Sequence, residues 1–357
     1  MRLVISRIAA NGRAGLLTLA LGAVTLLGGV AGVVNGRRST GAEVTPQDRS
    51  ALAATLTARL PQATTSPIPA LVQHVRLNPR DREARYRLAH RYFQSSDYPR
   101  ALEELRILEK QDPRDPGVPL RRAVILKSEG RADAAEKAVR QALNLQPGNA
   151  QAELLLGDIY LDQRQYRKAV KVFDRHLQAQ PNSIAALMAK ARVLERLYLA
   201  QERVKVDEIL APVKKAAELA PNNPRVLGMF AKMKFAYLIS PEDTAEAEGA
   251  ALRAVQLAPQ NSQPYITLAQ IYLAREPTAD NLRKAAEYAA SAGTLNLNDP
   301  RPPYVIGRVA LLQNDPQRAT KALELSLQLG PMPETVTQLA AAYARVGDRA
   351  RAGYYSG

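Results

Sequence analysis

The chain of 357 residues contains no cysteine and no tryptophan, and it has only four phenylalanines and three histidines. Without cysteine there are no disulfides, thiolate metal ligands or thiol nucleophiles, and no cysteine to carry a lipoprotein anchor. His74, His90 and His176 lack a second histidine or carboxylate at ligand spacing on one helix face, so no histidine-based metal site is expected. His176 falls where helices pack and is expected to be a satisfied core residue. No phosphate-cradling glycine loop, serine elbow or zinc-helix motif occurs. The glycine-rich stretch 28–36 overlaps an apolar run and follows no strand. These absences argue against an enzyme, and no cofactor is expected.

Acidic residues are also missing before Glu43, whereas Arg2, Arg7, Arg13, Arg37 and Arg38 bracket the first apolar segment. That segment, Ala14–Val34, runs for 21 residues without a charge. As a helix it spans roughly 30 Å, the thickness of a bilayer's hydrocarbon core. We expect a basic tail (1–13), a transmembrane signal anchor (14–34) and a flexible polar linker (35–46). Three arginines before the helix against two after it favour an inside N-terminus and extracytoplasmic repeats. The opposite, cytoplasmic orientation is the alternative. Small residues at Gly29-Val30-Ala31 also allow cleavage and secretion. The remaining excess of about ten positive charges is dispersed among glutamates, with no run of basic residues interleaved with aromatics. A nucleic-acid ligand is therefore not expected.

Alanine, leucine, arginine and glutamine dominate, which favours an all-α chain. The 24 prolines fall mainly between helical stretches. Four of them, Pro79, Pro113, Pro147 and Pro181, are spaced 34 residues apart, and Pro221, Pro259 and Pro331 follow at longer intervals. Inside each period an apolar–small pair (Leu88-Ala89, Leu156-Gly157, Leu268-Ala269, Leu339-Ala340) precedes an aromatic four residues after its first member (Tyr92, Tyr160, Tyr272, Tyr343). An alanine and a large apolar residue follow, as in Ala101 with Leu105 and Ala169 with Phe173.

This pattern resembles the tetratricopeptide repeat family over about residues 48–357, without the family's leading tryptophan. The resemblance implies a right-handed superhelical solenoid of helix–turn–helix repeats, here preceded by one transmembrane helix. Eight repeats are expected at 82–115, 116–149, 150–183, 184–223, 224–261, 262–299, 300–332 and 333–357, after a degraded capping repeat at 47–81. Small residues should sit where paired helices approach most closely. Insertions near 198–206, 238–246 and 275–281 should project from the turns between paired helices.

The family's first helices line a concave groove. Carried onto this chain, that stripe includes Tyr86, His90, Phe93, Lys127, Asp158, Arg192, Glu195, Arg196, Arg225, Lys232, Arg301, Tyr304 and Arg308. Its second half leans basic and suits an acidic peptide. The family's lysine–asparagine clamp for a C-terminal carboxylate is not matched in the early repeats. The implied function is a membrane-anchored scaffold for protein partners. The alternatives are a secreted or periplasmic receptor for an envelope polymer such as a glycan, or a non-catalytic subunit of a secretion or envelope complex. The apolar end at Tyr354 and Tyr355 leaves oligomerisation open.

Overall fold

Strong helix formers bounded by proline, aspartate and serine leave the backbone little choice but short helices. The computed structural model describes residues 67–237 and 240–356, and these form seventeen helices and no strand. The expected tail, anchor and linker, and the first helix of the capping repeat, lie outside the described residues. Among the described residues no helix is long and apolar enough to cross a membrane.

The described chain divides into two compact units, 67–205 and 206–356. In the first, α1 (Ile68–Leu77) precedes three helical hairpins. These pair α2 (Arg82–Gln94) with α3 (Tyr98–Gln111), α4 (Gly117–Ser128) with α5 (Ala132–Leu145), and α6 (Ala150–Asp162) with α7 (Tyr166–Ala179). Helix α8 (Ile184–Leu199) packs on α7 and ends the stack. In the second unit, α9 (Val206–Leu219) precedes four hairpins. These pair α10 (Pro224–Tyr237) with α11 (Pro241–Leu257), α12 (Ser262–Ala274) with α13 (Ala279–Leu295), α14 (Arg301–Leu312) with α15 (Pro316–Leu329), and α16 (Pro333–Val346) with α17 (Arg349–Ser356). The unit boundary falls inside the repeat expected at 184–223, so its two helices belong to different units.

Each hairpin is too small to bury its own apolar face, and stacking on the next supplies the core. In the first unit the fully buried large side chains include Leu88, Leu105, Ile125, Ile159 and Phe173; in the second they include Ile209, Met233, Ile266, Leu268 and Leu323. The small residues sit at the close approaches. A Cβ on Gly157 would run into the Phe173 ring, and one on Gly307 would stand 2.6 Å from Leu323 Cγ. Facing them, Ala169 and Ala319 are fully buried.

The turns explain the period. Between paired helices a single residue takes the left-handed conformation: Ser96 (φ 62°), Gly130 (φ 81°) and Arg164 (φ 58°) in the first unit, then Asn314 (φ 59°) and Gly347 (φ 90°) in the second. The amide after it reaches back to close the helix, as in Asp97 N–H to Tyr92 O at 2.9 Å and Gln165 N–H to Tyr160 O at 2.8 Å. This is the Schellman helix ending, and its fixed length keeps successive hairpins in step. Gln201 (φ 58°) ends α8 in the same way.

Two of the expected turn insertions are placed differently. The residues near 238–246 and 275–281 mostly lengthen the second helix, so α11 and α13 have 17 residues where α3, α5 and α7 have 14. Ser240 and Thr278 cap the longer helices by accepting the amides of Asp243 and Asn281. A good N-cap one turn early converts a would-be loop into helix. The stretch 200–205 does remain a turn.

Candidate functional site

Successive first helices (α2, α4, α6 and α8) carry the predicted stripe of the first unit, and charge pairs join one helix to the next. Lys127 on α4 meets Asp162 on α6 at 2.8 Å, and Arg192 on α8 meets Asp158 on α6 at 3.5 Å. Arg82 at the start of α2 spans to Asp112 at 3.0 Å and Asp115 at 2.5 Å, just before α4. The stripe is thus less basic than the arginines alone suggest. Each of the two α6 pairs lies about one repeat apart in sequence, a signal available from the period itself. Arg82, Asp115 and Arg121 were missed because they flank the stripe positions.

At the head of this face, the Tyr86 hydroxyl donates to Asp115 Oδ2 at 2.6 Å, and the Gly117 amide donates to Asp115 Oδ1 at 2.8 Å. Burial opposes ionisation of Asp115. The Tyr86 and Gly117 hydrogen bonds, with the Arg82 and Arg121 charges, nevertheless hold it below the usual carboxylate range. Burial, followed by the bond to Asp115, pushes the Tyr86 phenol far up. Arg121 lies over the Tyr86 ring, 4.4 Å from its centroid. His90, one turn beyond Tyr86, is buried, and neither of its ring nitrogens has a hydrogen-bond partner among the described residues. Burial, then the Arg121 and Arg91 charges, lowers its pKa. Phe93 is buried with its ring 6.0 Å from that of Tyr98.

The other stripe residues are dispersed. Arg192 and Arg196 are exposed on α8, with Glu195 half-buried between them. In the second unit Arg225 is exposed and Lys232 half-buried on α10. Arg301 chelates Asp299 through Nε and Nη2, at 2.9 and 2.6 Å, and donates from Nη1 to Gln263 at 3.1 Å. Tyr304 is buried, and Arg308 donates to its hydroxyl at 3.3 Å. Arg301 therefore serves the α12–α14 joint, and both it and Arg308 remain partly exposed.

Two further polar devices hold the stacks. His176, almost fully buried, contacts Glu153 at 2.8 Å through Nδ1 and Ser183 at 3.1 Å through Nε2, as a satisfied core histidine should. The repeat tyrosines Tyr160, Tyr272 and Tyr343 donate to Glu136, Glu248 and Glu324 on the preceding second helix. An arginine (Arg140, Arg275, Arg351) accompanies each. Among the described residues no cluster of histidines and carboxylates could hold a metal ion.

Two tetratricopeptide repeat family models match the chain, over residues 68–116 and 126–193. No curated protein matches it. Solved structures do. Yeast Tom70 is 17% identical, with a TM-score of 0.54, covering 93% of this chain and 70% of its own. A tetratricopeptide repeat protein from Parabacteroides merdae is 15% identical, with a TM-score of 0.53, covering 73% and 98%. The human IFIT1 dimer with m7Gppp-AAAA is 16% identical, with a TM-score of 0.53, covering 85% and 78%. At such identities the likeness speaks for the fold alone. With the family models, the close-packed glycines and the recurrent helix endings, it supports a solenoid of tetratricopeptide-type repeats for the described residues, all of whose regular elements are helices.

Proposed function

We propose that the chain is a membrane-anchored, non-catalytic scaffold whose first-helix face takes protein or peptide partners outside the cytoplasm. The observation that carries the reading is the row of charged and aromatic side chains that successive first helices present, on a frame whose interior is closed by apolar packing. Tetratricopeptide repeats generally mediate protein–protein interaction, and the apolar run 14–34 supplies the tether. Acidic partner segments suit Arg196 and Arg225, which are exposed. A nucleic acid, the kind of ligand in the IFIT1 structure, is less well served here, because Lys127 and Arg192 already face carboxylates.

Topology and partnership test this together. The natural chain has no cysteine, so Ser356→Cys introduces a single reactive thiol. A membrane-impermeant maleimide should label it in intact cells with a permeabilised outer barrier, and the protein should stay in the membrane fraction. Labelling only after lysis would move the repeats to the cytoplasm. Crosslinking that recovers no protein partner, while the purified chain turns over a small substrate, would overturn the scaffold reading.

A further inference from the structure

On the first-helix face of unit 67–205, Lys127 and Arg192 are each matched by a carboxylate on the neighbouring repeat. Arg121 is not. Its guanidinium stacks on Tyr86 and donates to the Gly117 carbonyl at 3.3 Å, and it has no ion-pair partner among the described residues. His90 is 5% exposed with both ring nitrogens unmatched. A neutral imidazole carries one donor and one acceptor, and leaving both unmet in a buried position is unfavourable. A guanidinium whose nearest carboxylate, Asp115, is bonded to Tyr86, Gly117 and Arg82, beside an unmet buried imidazole and an aromatic surface, is a set of groups that a further carboxylate would satisfy.

We propose that Arg121 and His90, with the Tyr86 ring between α2 and α4, form a site for an acidic side chain of a partner's peptide segment. The proposal rests on the reading of this face as partner-binding, and it fixes where and by what chemistry the partner is read. The ring nitrogens of His90 have no accessible surface, so a cover must move before a ligand reaches them. Arg121 is held by one long hydrogen bond, by stacking and by the charge of Asp115, without a direct ion pair, so its side chain can swing.

The charged groups facing His90 are Arg91 on its own helix and Arg121 on α4. Carboxylates on or before the neighbouring helices are bonded to other groups: Glu104 on α3 to Arg85, Asp81 before α2 to His74, and Asp115 before α4 to Tyr86 and Arg82. A bound carboxylate supplies the missing negative charge next to the imidazole. Occupancy then favours the protonated ring, and binding tightens as pH falls.

The test uses full-length protein in a mild non-ionic detergent, titrated with fluorescein-labelled octaglutamate or octaglutamine at pH 8 and pH 6. Octaglutamate should bind and octaglutamine should not. Arg121→Gln should weaken octaglutamate by about tenfold, the size of one lost charge-assisted hydrogen bond. Arg121→Lys should recover part of it. His90→Asn, checked for an unchanged melting temperature, should abolish the tightening between pH 8 and pH 6; His90→Gln serves if that variant is unstable. Unchanged octaglutamate affinity in Arg121→Gln overturns the proposal, as does an intact pH response without His90. Should Arg196→Ala rather than Arg121→Gln abolish binding, this site falls while the partner-binding reading stands. Failure of octaglutamate to bind also removes the site, and with no crosslinked partner the wider reading goes with it.

Discussion

The two units are built from one plan, yet they keep time differently. In residues 67–205 every helix pair closes through a left-handed residue in a Schellman turn, at Ser96, Gly130 and Arg164, and the prolines march at 34. In residues 206–356 the α12–α13 turn lacks that residue, and the second helices α11 and α13 are about a turn longer. Both units have fully buried apolar cores. The constancy of a repeat period therefore reports on the turns and not on the packing: a core tolerates a longer helix, while a turn geometry does not tolerate a different length.

The sharpest way to break the comparison is at the close approaches, which should be equivalent in the two units. Gly157→Leu against Phe173 and Gly307→Leu against Leu323 should each destabilise by about 1–3 kcal/mol or more through overpacking. Amide exchange should locate the lost protection within 150–180 for the first and 300–330 for the second. A Gly157→Leu chain that melts like the parent would mean the repeat register is wrong.

A smaller effect concerns the tyrosine–glutamate bonds, present on both sides of the boundary. Tyr160→Phe and Tyr272→Phe should cost similar amounts, about 1 kcal/mol each. In the second unit burial, then the bond to Glu248, pushes the Tyr272 phenol up to about 12. Spectrophotometric titration should show one tyrosine fewer ionising near pH 11 than in Tyr272→Phe plus its lost residue. Equal titration curves after that correction would deny the bond.

Acid distinguishes the units more quietly. Burial and the Arg121 and Arg91 charges lower the pKa of His90 in the folded state, so the unfolded chain takes the proton first. The stability His90 contributes is full above about pH 6.5 and is lost as pH falls through its lower folded value. Urea unfolding at pH 7.5 and pH 5 should show a drop that His90→Asn reduces. A drop of the same size in the variant would exclude His90 as its source. The smallest change is expected at Arg164, where a side chain occupies a left-handed position. Arg164→Gly should raise stability by up to about 1 kcal/mol, readable as a small rise in melting temperature. A fall would show that the arginine side chain contributes more than its backbone strain removes.

Much of this architecture is legible in the residues. The Leu–small pairs, the aromatic that follows and the spaced prolines place the hairpins, because close-packed geometry admits few side chains there. The longer α11 and α13 were legible too, but through a different signal. Ser240-Pro241-Glu242-Asp243 is a helix start, with a capping serine, a proline suited to the first turn and acids near the positive end of the helix dipole. Counting offsets from the repeat hides it. The candidate face divides in the same manner. Its cations can be read from the stripe, and the Lys127–Asp162 and Asp158–Arg192 pairs follow once a full repeat is added to each position. The isolation of His90 cannot be read, since it depends on which neighbours point elsewhere.

The turn at Arg275–Thr278 has a practical consequence. There a helix pair joins without a left-handed residue and its closing hydrogen bond, and Glu276, Pro277 and Thr278 are exposed. Foreign sequence spliced between Glu276 and Pro277 would interrupt no such closure, as long as the Thr278 cap of α13 is kept. The same graft beside Arg164 or Gly130 would pull apart a turn that sets the stride of its neighbours. The irregular repeat, which looks like a flaw in the pattern, is thus the natural port for an epitope or a reporter domain.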